Sequence, residues 1–115
     1  MRALVVGASG GIGSAVIAEL QRRGAEVVGL SRSGDGLDVT DEVSVAAAFA
    51  TLDPGFDLVL VATGALVIGE VGPEKTLRAV TAEQFVVNAV GPALVMKHAL
   101  RLLPRDRLSR LAVLS

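Results

Sequence analysis

The chain opens with an apolar, β-branched run that passes directly into a glycine-rich turn and then into a helical pattern. Residues 2–6 read Arg-Ala-Leu-Val-Val, and residues 7–13 read Gly-Ala-Ser-Gly-Gly-Ile-Gly. Beyond the glycines, apolar residues recur at three- and four-residue intervals, which predicts an amphipathic helix over 11–23. A strand, a glycine turn and a helix in this order predict an anion-binding site near the start of the chain.

The glycine turn favours a dinucleotide pyrophosphate as the anion. Its backbone N–H groups and the positive end of the helix converge there, and glycine lacks the Cβ that would block close approach. The spacing fits G-x-x-x-G-x-G through Gly7, Gly11 and Gly13, and it also fits G-x-x-G-x-x-G through Gly7, Gly10 and Gly13. No Lys-Ser or Lys-Thr pair follows, so the turn is not a P-loop. The alternative is a tight strand-to-helix connection that binds nothing.

Strand and helix patterns alternate along the rest of the chain. The predicted strands are 2–6, 26–31, 37–39, 58–62 and 111–114. The predicted helices are 11–23, 42–51 with a Thr40 cap, and 82–103 with a kink after Gly91, where Pro92 interrupts the pattern. This alternation predicts an α/β fold with a doubly wound, parallel, Rossmann-type sheet in the order 3-2-1-4-5, truncated after the fifth strand. The loop 32–36 is too short for the usual crossover helix between strands two and three, so we expect this helix to be missing or reduced to a turn.

Composition excludes several other classes of protein. With 51% hydrophobic residues the chain is not expected to be disordered, and 115 residues allow one domain at most. A net charge of −1 without a basic block speaks against nucleic acid or an anionic membrane as partner. The absence of Cys excludes thiol and disulfide chemistry. The start lacks the apolar core of a signal peptide, and the stretch 58–68 is too short to span a bilayer, so we expect a cytoplasmic location.

Several ordered segments resemble the short-chain dehydrogenase/reductase family, and together they cover the whole chain. They look like that family's cofactor turn, its adenine-side segment, the motif after its fourth strand, the motif of its fourth helix and the end of its fifth strand. In that order, the segments are 7–13, 37–41 (Leu-Asp-Val-Thr-Asp), 62–65 (Ala-Thr-Gly-Ala), 88–94 (Asn-Ala-Val-Gly-Pro-Ala-Leu) and 113–115 (Val-Leu-Ser). Residues 72–75, Gly-Pro-Glu-Lys, together with 88–94, are similar to the C-factor-like branch.

The resemblance implies NAD(P)-dependent hydride transfer between the cofactor and a carbonyl or alcohol substrate. It implies that Ser115 hydrogen-bonds the substrate carbonyl, and that Asn88 holds the fourth helix and a water of the proton relay. The family's Tyr-x-x-x-Lys pair lies beyond that serine, and this chain contains no Tyr. We therefore expect residues 1–115 to be the partial NAD(P)-binding domain of such an enzyme and to be inactive alone. The alternative is a non-catalytic dinucleotide-binding or regulatory module.

The resemblance also assigns cofactor-binding positions and a subunit interface. The positions are Gly7, Ser9, Gly10, Gly11, Ile12, Gly13, Ser31, Arg32, Asp38, Val39, Ala62, Thr63 and Gly64. Ala62 stands where many members have Asn, which leaves the hydrogen bonding near the nicotinamide ribose open. The helix over 82–103 is expected to form the subunit interface of a homo-oligomer, as the fourth helix does in the family.

The residue that follows the second strand favours NADP over NAD. An acid there would accept hydrogen bonds from a ribose 2′-OH, whereas Arg32 suits a 2′-phosphate. Two alternatives stay open: Arg32 is a solvated loop residue, or Asp35 in the same loop reaches the ribose. Asp38 either contacts the adenine amino group or caps the end of its strand.

Overall fold

The computed structural model describes residues 1–63 and 90–114, and it contains one parallel sheet. The strands are β1 (Arg2–Val6), β2 (Glu26–Leu30), β3 (Leu58–Val61) and β4 (Arg110–Val113). Their order is β2-β1-β3-β4, and every neighbouring pair is parallel. The predicted parallel, Rossmann-type sheet is therefore confirmed.

The register of the strands brings their carboxyl ends to one edge of the sheet. Val6 at the end of β1 pairs with Leu30 of β2 on one side and with Val61 of β3 on the other. Val61 in turn pairs with Val113 of β4. The loops that leave the strands therefore start side by side, as they do at the ligand-binding edge of open α/β sheets.

Helices cover both faces of the sheet. The helical segments are α1 (Gly11–Arg22), the four-residue turn α2 (Arg32–Asp35), α3 (Glu42–Ala50), α4 (Gly91–Ala99) and a 3₁₀ helix (Leu100–Leu102). The main core joins alternate residues of β1 and β3 to side chains of α3 and α4, including Phe49 and Val95. On the opposite face α1 reaches β2, where Ile17 lies close to Gly29. Because both faces are covered, Ala3, Leu4, Val5 and Val6 of β1 are fully buried.

The predicted third strand is wrong. Residues 37–39 are irregular. In the described part of the chain, the sheet therefore contains the predicted strands two, one, four and five in that order, without strand three. Leu37 and Val39 are buried while Asp38 is half-buried, so the segment has the alternation of a strand. The Asp38 backbone N–H, however, donates to the Ser44 hydroxyl rather than to a neighbouring strand. The predicted polar loop before it forms the turn α2, which ends at Gly36 with φ of 68°.

Two helix predictions also need correction. Helix α3 is capped by Asp41, whose side chain accepts the Val43 N–H, and not by Thr40, whose hydroxyl donates to Asp38. The predicted helix over 82–103 falls partly outside the described residues. Its described part is an α-helix over Gly91–Ala99 that tightens into the 3₁₀ turn before residue 103. The predicted subunit interface on this helix stays a prediction.

No helix within residues 1–63 and 90–114 is long and apolar enough to cross a membrane.

Candidate functional site

The candidate site lies at the carboxyl edge of the sheet, where three strands end together. The glycine turn follows β1, the segment from Ser31 to Asp38 follows β2, and Ala62 and Thr63 follow β3. The Ala62 N–H donates to the Val6 carbonyl oxygen at 2.8 Å, which holds the end of β3 against β1. The three groups of residues that the sequence singles out are thus brought to one edge.

The glycine turn is attached to the end of β2 through a single acceptor. The backbone N–H groups of Gly7 and Ala8 both donate to the carbonyl oxygen of Leu30, at 2.8 and 3.1 Å. The turn then closes on itself through a 3.2 Å bond from the Gly10 N–H to the Gly7 carbonyl oxygen. These bonds place the glycine turn directly beside the residues that follow β2.

Glycine is required at both ends of the turn. Gly7 has φ of 95°, and a Cβ on it would lie 2.7 Å from the Ala62 carbonyl oxygen. A Cβ on Gly13 would lie only 2.0 Å from the Gly7 carbonyl oxygen, so α1 begins in direct backbone contact with the turn. By contrast, a Cβ on Gly11 would meet no atom within 4 Å among residues 1–63 and 90–114, apart from its chain neighbours and its own helix backbone.

The start of α1 is suited to an anion. Its N-cap is Gly10, which supplies no side-chain hydrogen bond, and the first turn holds no acidic residue. The first N–H groups of a helix have no partner within the helix, and the helix dipole adds positive potential to them. Ser9 and Ile12 flank these groups, and Ile12 is exposed although it is apolar. A phosphate fits this position by both charge and hydrogen bonding.

The residues after β2 form a closed turn around Ser31. This serine is 7% exposed, its hydroxyl accepts the Gly34 N–H, and its own N–H donates to Asp35 Oδ2. One oxygen of Asp35 is thus already bonded within the turn, which weakens the alternative in which Asp35 binds a ribose. Arg32, at the start of α2, is exposed to solvent.

Asp38 presents a carboxylate at the same edge. Its Oδ1 accepts the Thr40 hydroxyl at 2.6 Å and the Thr40 N–H at 3.0 Å. These two bonds hold the pKa of Asp38 below its ordinary value, and the positive charge of Arg32 acts in the same direction. Oδ2 accepts no hydrogen bond from a described residue, so the ionised carboxylate has an oxygen available for an amino group.

Thr63, after β3, carries an unusual polar atom. Its Oγ1 is buried and has no hydrogen-bond partner in the part of the chain that the structure describes. Buried hydroxyls are normally paired, so this atom fits a site that receives a polar ligand.

Most of the predicted site residues therefore lie at one edge of the molecule. Those that the structure brings there are Gly7, Ser9, Gly10, Gly11, Ile12, Gly13, Ser31, Arg32, Asp38, Val39, Ala62 and Thr63. Gly64, Asn88 and Ser115 fall outside the described residues. Within 1–63 and 90–114, no group of three or more His, Cys, Asp and Glu side chains is arranged to hold a metal ion.

Sequence reasoning missed one residue that shapes this edge. A Cβ on Gly29, in β2, would lie 2.8 Å from Ala8 Cβ and 3.1 Å from Ile17 Cδ1, so this glycine makes room for the turn and for α1. A signal for it was available, because glycine inside an apolar strand commonly marks a close approach of another backbone.

The chain is similar to known proteins over most of its length. The sequence profile of the NAD dependent epimerase/dehydratase family matches residues 3–105. No curated protein shows significant sequence similarity to the chain.

Several solved structures have the same fold and a recognisably similar sequence. A putative short-chain alcohol dehydrogenase from Burkholderia multivorans is 28% identical with a TM-score of 0.78, the match covering 99% of this chain and 61% of that one. A small-chain dehydrogenase in complex with NADPH is 26% identical with a TM-score of 0.75, over 98% of this chain and 49% of that one. The protein lin1944 from Listeria innocua is 28% identical with a TM-score of 0.70, over 90% of this chain and 51% of that one.

This chain spans 49% to 61% of the length of these three proteins. The matches confirm the resemblance to short-chain dehydrogenases, and the C-factor-like branch stays a prediction.

Proposed function

The chain belongs to the NAD dependent epimerase/dehydratase family, and from that premise we propose that it binds a nicotinamide dinucleotide with the pyrophosphate at the turn over residues 7–13. The observation that carries the proposal is the backbone contact between Gly13 and Gly7, where a Cβ would lie 2.0 Å from a carbonyl oxygen. This contact sets the uncapped start of α1 against the turn, so its N–H groups face the place where a pyrophosphate would lie. The similar dehydrogenase solved with NADPH supports the same assignment.

The adenosine end of the dinucleotide would lie along the residues that follow β2. Asp38 would accept the adenine amino group through Oδ2, which bonds to no described residue, and the lowered pKa of Asp38 favours the ionised carboxylate. Arg32 would pair with a 2′-phosphate, which makes NADP the preferred cofactor and NAD the weaker one. The influence of the Arg32 charge on Asp38 supports this arrangement, because it places both groups in the same part of the edge.

The nicotinamide end would lie toward the residues that follow β3. When bound, the nicotinamide supplies or accepts a hydride at its ring. Thr63 would donate its buried hydroxyl to the cofactor, and Ala62 and Gly64 would flank it. The Asn that many short-chain dehydrogenases have at position 62 is absent here, so this chain would hold the nicotinamide ribose through other groups.

The whole protein would transfer a hydride between NADP(H) and a carbonyl or alcohol substrate. In this proposal Ser115 holds the substrate carbonyl and Asn88 holds a water of the proton relay, as the resemblance implies. The chain contains no Tyr for the proton transfer. Residues 1–115 would therefore bind cofactor without turning it over, and steady oxidation of NADPH by these residues alone would contradict the proposal.

Calorimetric titration with NADPH and NADH tests the cofactor assignment. We expect the unmodified protein to prefer NADPH about 10- to 100-fold, which is the range of one charge-assisted contact of 1.5–3 kcal/mol. Arg32→Ala should lose most of this preference while its affinity for NADH stays nearly unchanged. Arg105→Ala, which removes an exposed arginine elsewhere in the chain, is the control and should behave like the unmodified protein.

The outcomes separate the two parts of the proposal. Equal affinities for NADPH and NADH in the unmodified protein would remove the role of Arg32 but leave a dinucleotide site. Failure to bind either cofactor would remove the dinucleotide site itself.

A further inference from the structure

We propose that Gly91 and Ser44 are positioning residues for the adenine end of the dinucleotide, acting through the segment 37–40 on Asp38. The inference rests on the function proposed above, and it concerns what holds Asp38 in place to accept the adenine amino group. The segment 37–40 pairs with no strand of the described sheet, so contacts outside that sheet determine where the Asp38 carboxylate lies.

One support comes from the first residue of α4. Gly91 is buried, and a Cβ on it would lie 2.8 Å from Val39 Cγ2, 3.3 Å from Val39 Cβ and 3.4 Å from the Val39 carbonyl oxygen. The backbone of α4 therefore rests directly on Val39. Any side chain at position 91 would need the space that Val39 occupies.

Val39 cannot give way by changing its rotamer. A β-branched side chain is stiff at χ1, and this one is 9% exposed within the main core. A methyl group added at Gly91 would push against the Val39 side chain, including its Cβ, which no rotamer change moves away. We expect the backbone of the segment to shift, and Asp38 is the residue directly before Val39 on that backbone.

The second support comes from α3. The Ser44 hydroxyl accepts the Asp38 backbone N–H at 3.0 Å, which takes the place of the strand partner that the segment lacks. The segment is thus held by one contact from each of two helices. A carboxylate-to-amino hydrogen bond tolerates a donor–acceptor range of only a few tenths of an ångström, so a shift of about 1 Å in this segment would break it.

The test compares NADPH with its hypoxanthine analogue, in which the adenine 6-amino group is replaced by a carbonyl oxygen. The unmodified protein should bind NADPH about tenfold more tightly, because the carbonyl cannot donate to Asp38. In Gly91→Ala and in Ser44→Ala this preference should fall toward unity. The loss should come from weaker NADPH binding, while the affinity for the analogue stays nearly unchanged.

Two further variants complete the test. Ala93→Ser alters an exposed position of the same helix and should keep the full preference. The double variant Gly91→Ala with Val39→Ala removes the methyl group that the new Cβ would strike, so it should recover preference relative to Gly91→Ala alone. A recovery of this kind is not expected from a substitution that only lowers stability, since Val39→Ala also takes a buried side chain out of the core.

The following results would contradict the positioning role or the proposed contacts on which it depends. Equal losses for NADPH and the analogue, or an unchanged preference in Gly91→Ala, would overturn the positioning role. If Gly91→Ala does not fold, Ser44→Ala decides alone, and an unchanged preference in it overturns the proposal. Equal binding of the two compounds by the unmodified protein would show that Asp38 does not contact the amino group, although the dinucleotide site would stand. Binding of neither compound would remove the proposed function and this inference with it.

Discussion

At the scale of single residues, two glycines allow the turn and α1 to meet, and they do so for different reasons. Gly7 has φ of 95°, a conformation that L side chains rarely adopt, and it also faces the Ala62 carbonyl group. Gly13 has ordinary helical geometry, but its missing side chain leaves room for the carbonyl oxygen of Gly7. Backbone strain and contact thus both exclude other residues at position 7, whereas contact alone excludes them at position 13.

Gly13→Ala should weaken NADPH and NADH binding to the same extent. The new Cβ would overlap the Gly7 carbonyl oxygen, so α1 must move away from the turn and take its first N–H groups with it. We also expect a loss of about 1–3 kcal/mol in the free energy of unfolding, as for other overpacked sites. Calorimetric titration and denaturant unfolding measure the two effects. Ala18→Ser, at an exposed position of α1, is the control, and unchanged affinity for both cofactors in Gly13→Ala would contradict the assignment of the turn.

At the scale of elements, α3 links the candidate site to the rest of the fold. Its Ser44 holds Asp38, and its side chains Val45 and Phe49 enter the main core. The carboxylate of Glu42, in its first turn, forms an ion pair with Lys97 and lies 3.2 Å from His98 Nε2 of α4. An exposed ion pair contributes little stability by itself, but the two contacts show that the first turn of α3 lies against α4. The position of this first turn therefore matters to the site.

Asp41→Ala should destabilise α3 by about 1 kcal/mol, because the Val43 N–H would lose the side-chain acceptor that now caps the helix. Denaturant unfolding measures the loss. Asp41→Asn is the matched control, since an asparagine oxygen can accept the same N–H, and it should retain most of the stability. Equal stability of Asp41→Ala and the unmodified protein would mean that the cap contributes nothing.

At the scale of the whole molecule, a cluster of polar side chains lies at the amino ends of the strands, opposite the candidate site. Asp57 accepts the Arg2 backbone N–H through Oδ2 and the Arg107 guanidinium through Oδ1. The guanidinium of Arg2 lies 4.0 Å above the Phe56 ring and donates to the carbonyl oxygens of the preceding loop. This cluster ties the start of β1 to the segments before β3 and β4.

The cluster predicts a contribution of Asp57 to stability that is lost in acid. The Arg2 backbone N–H, followed by Arg107, holds the pKa of Asp57 below its ordinary value of 3.8. A carboxyl with a lowered folded-state pKa stabilises the fold above its unfolded pKa, and the contribution disappears as pH falls through the folded value. The free energy of unfolding should therefore fall more steeply between about pH 5 and pH 2 in the unmodified protein than in Asp57→Asn.

Unfolding at a series of acidic pH values measures this difference. Asp53→Asn, at an exposed position of the neighbouring loop, is the control and should keep the steep dependence of the unmodified protein. Parallel curves for Asp57→Asn and the unmodified protein would contradict the contribution of Asp57.

The amino-acid sequence by itself determined the regular elements and the position of the glycine turn. Apolar β-branched runs predicted β1, β2, β3 and β4 to within one or two residues, and apolar spacing predicted α1 and α3 equally well. These features could be predicted because they depend on residues that are close along the chain. Parallel strands with intervening helices then bring the loops after β1, β2 and β3 to the same edge, so most of the candidate site was predictable.

Only the tertiary structure decided what the local pattern leaves open. Residues 37–39 alternate as a strand does, yet they are irregular, because a strand needs a neighbouring strand and this segment bonds to the Ser44 hydroxyl instead. Thr40 and Asp41 both qualify as caps by residue type, and the contact of Thr40 with Asp38 leaves the cap to Asp41. Gly29 and Gly91 must lack a side chain because they pack against Ala8 and Val39, which are distant from them in sequence. Such contacts depend on how the elements pack, and a pattern read along one chain does not contain that information.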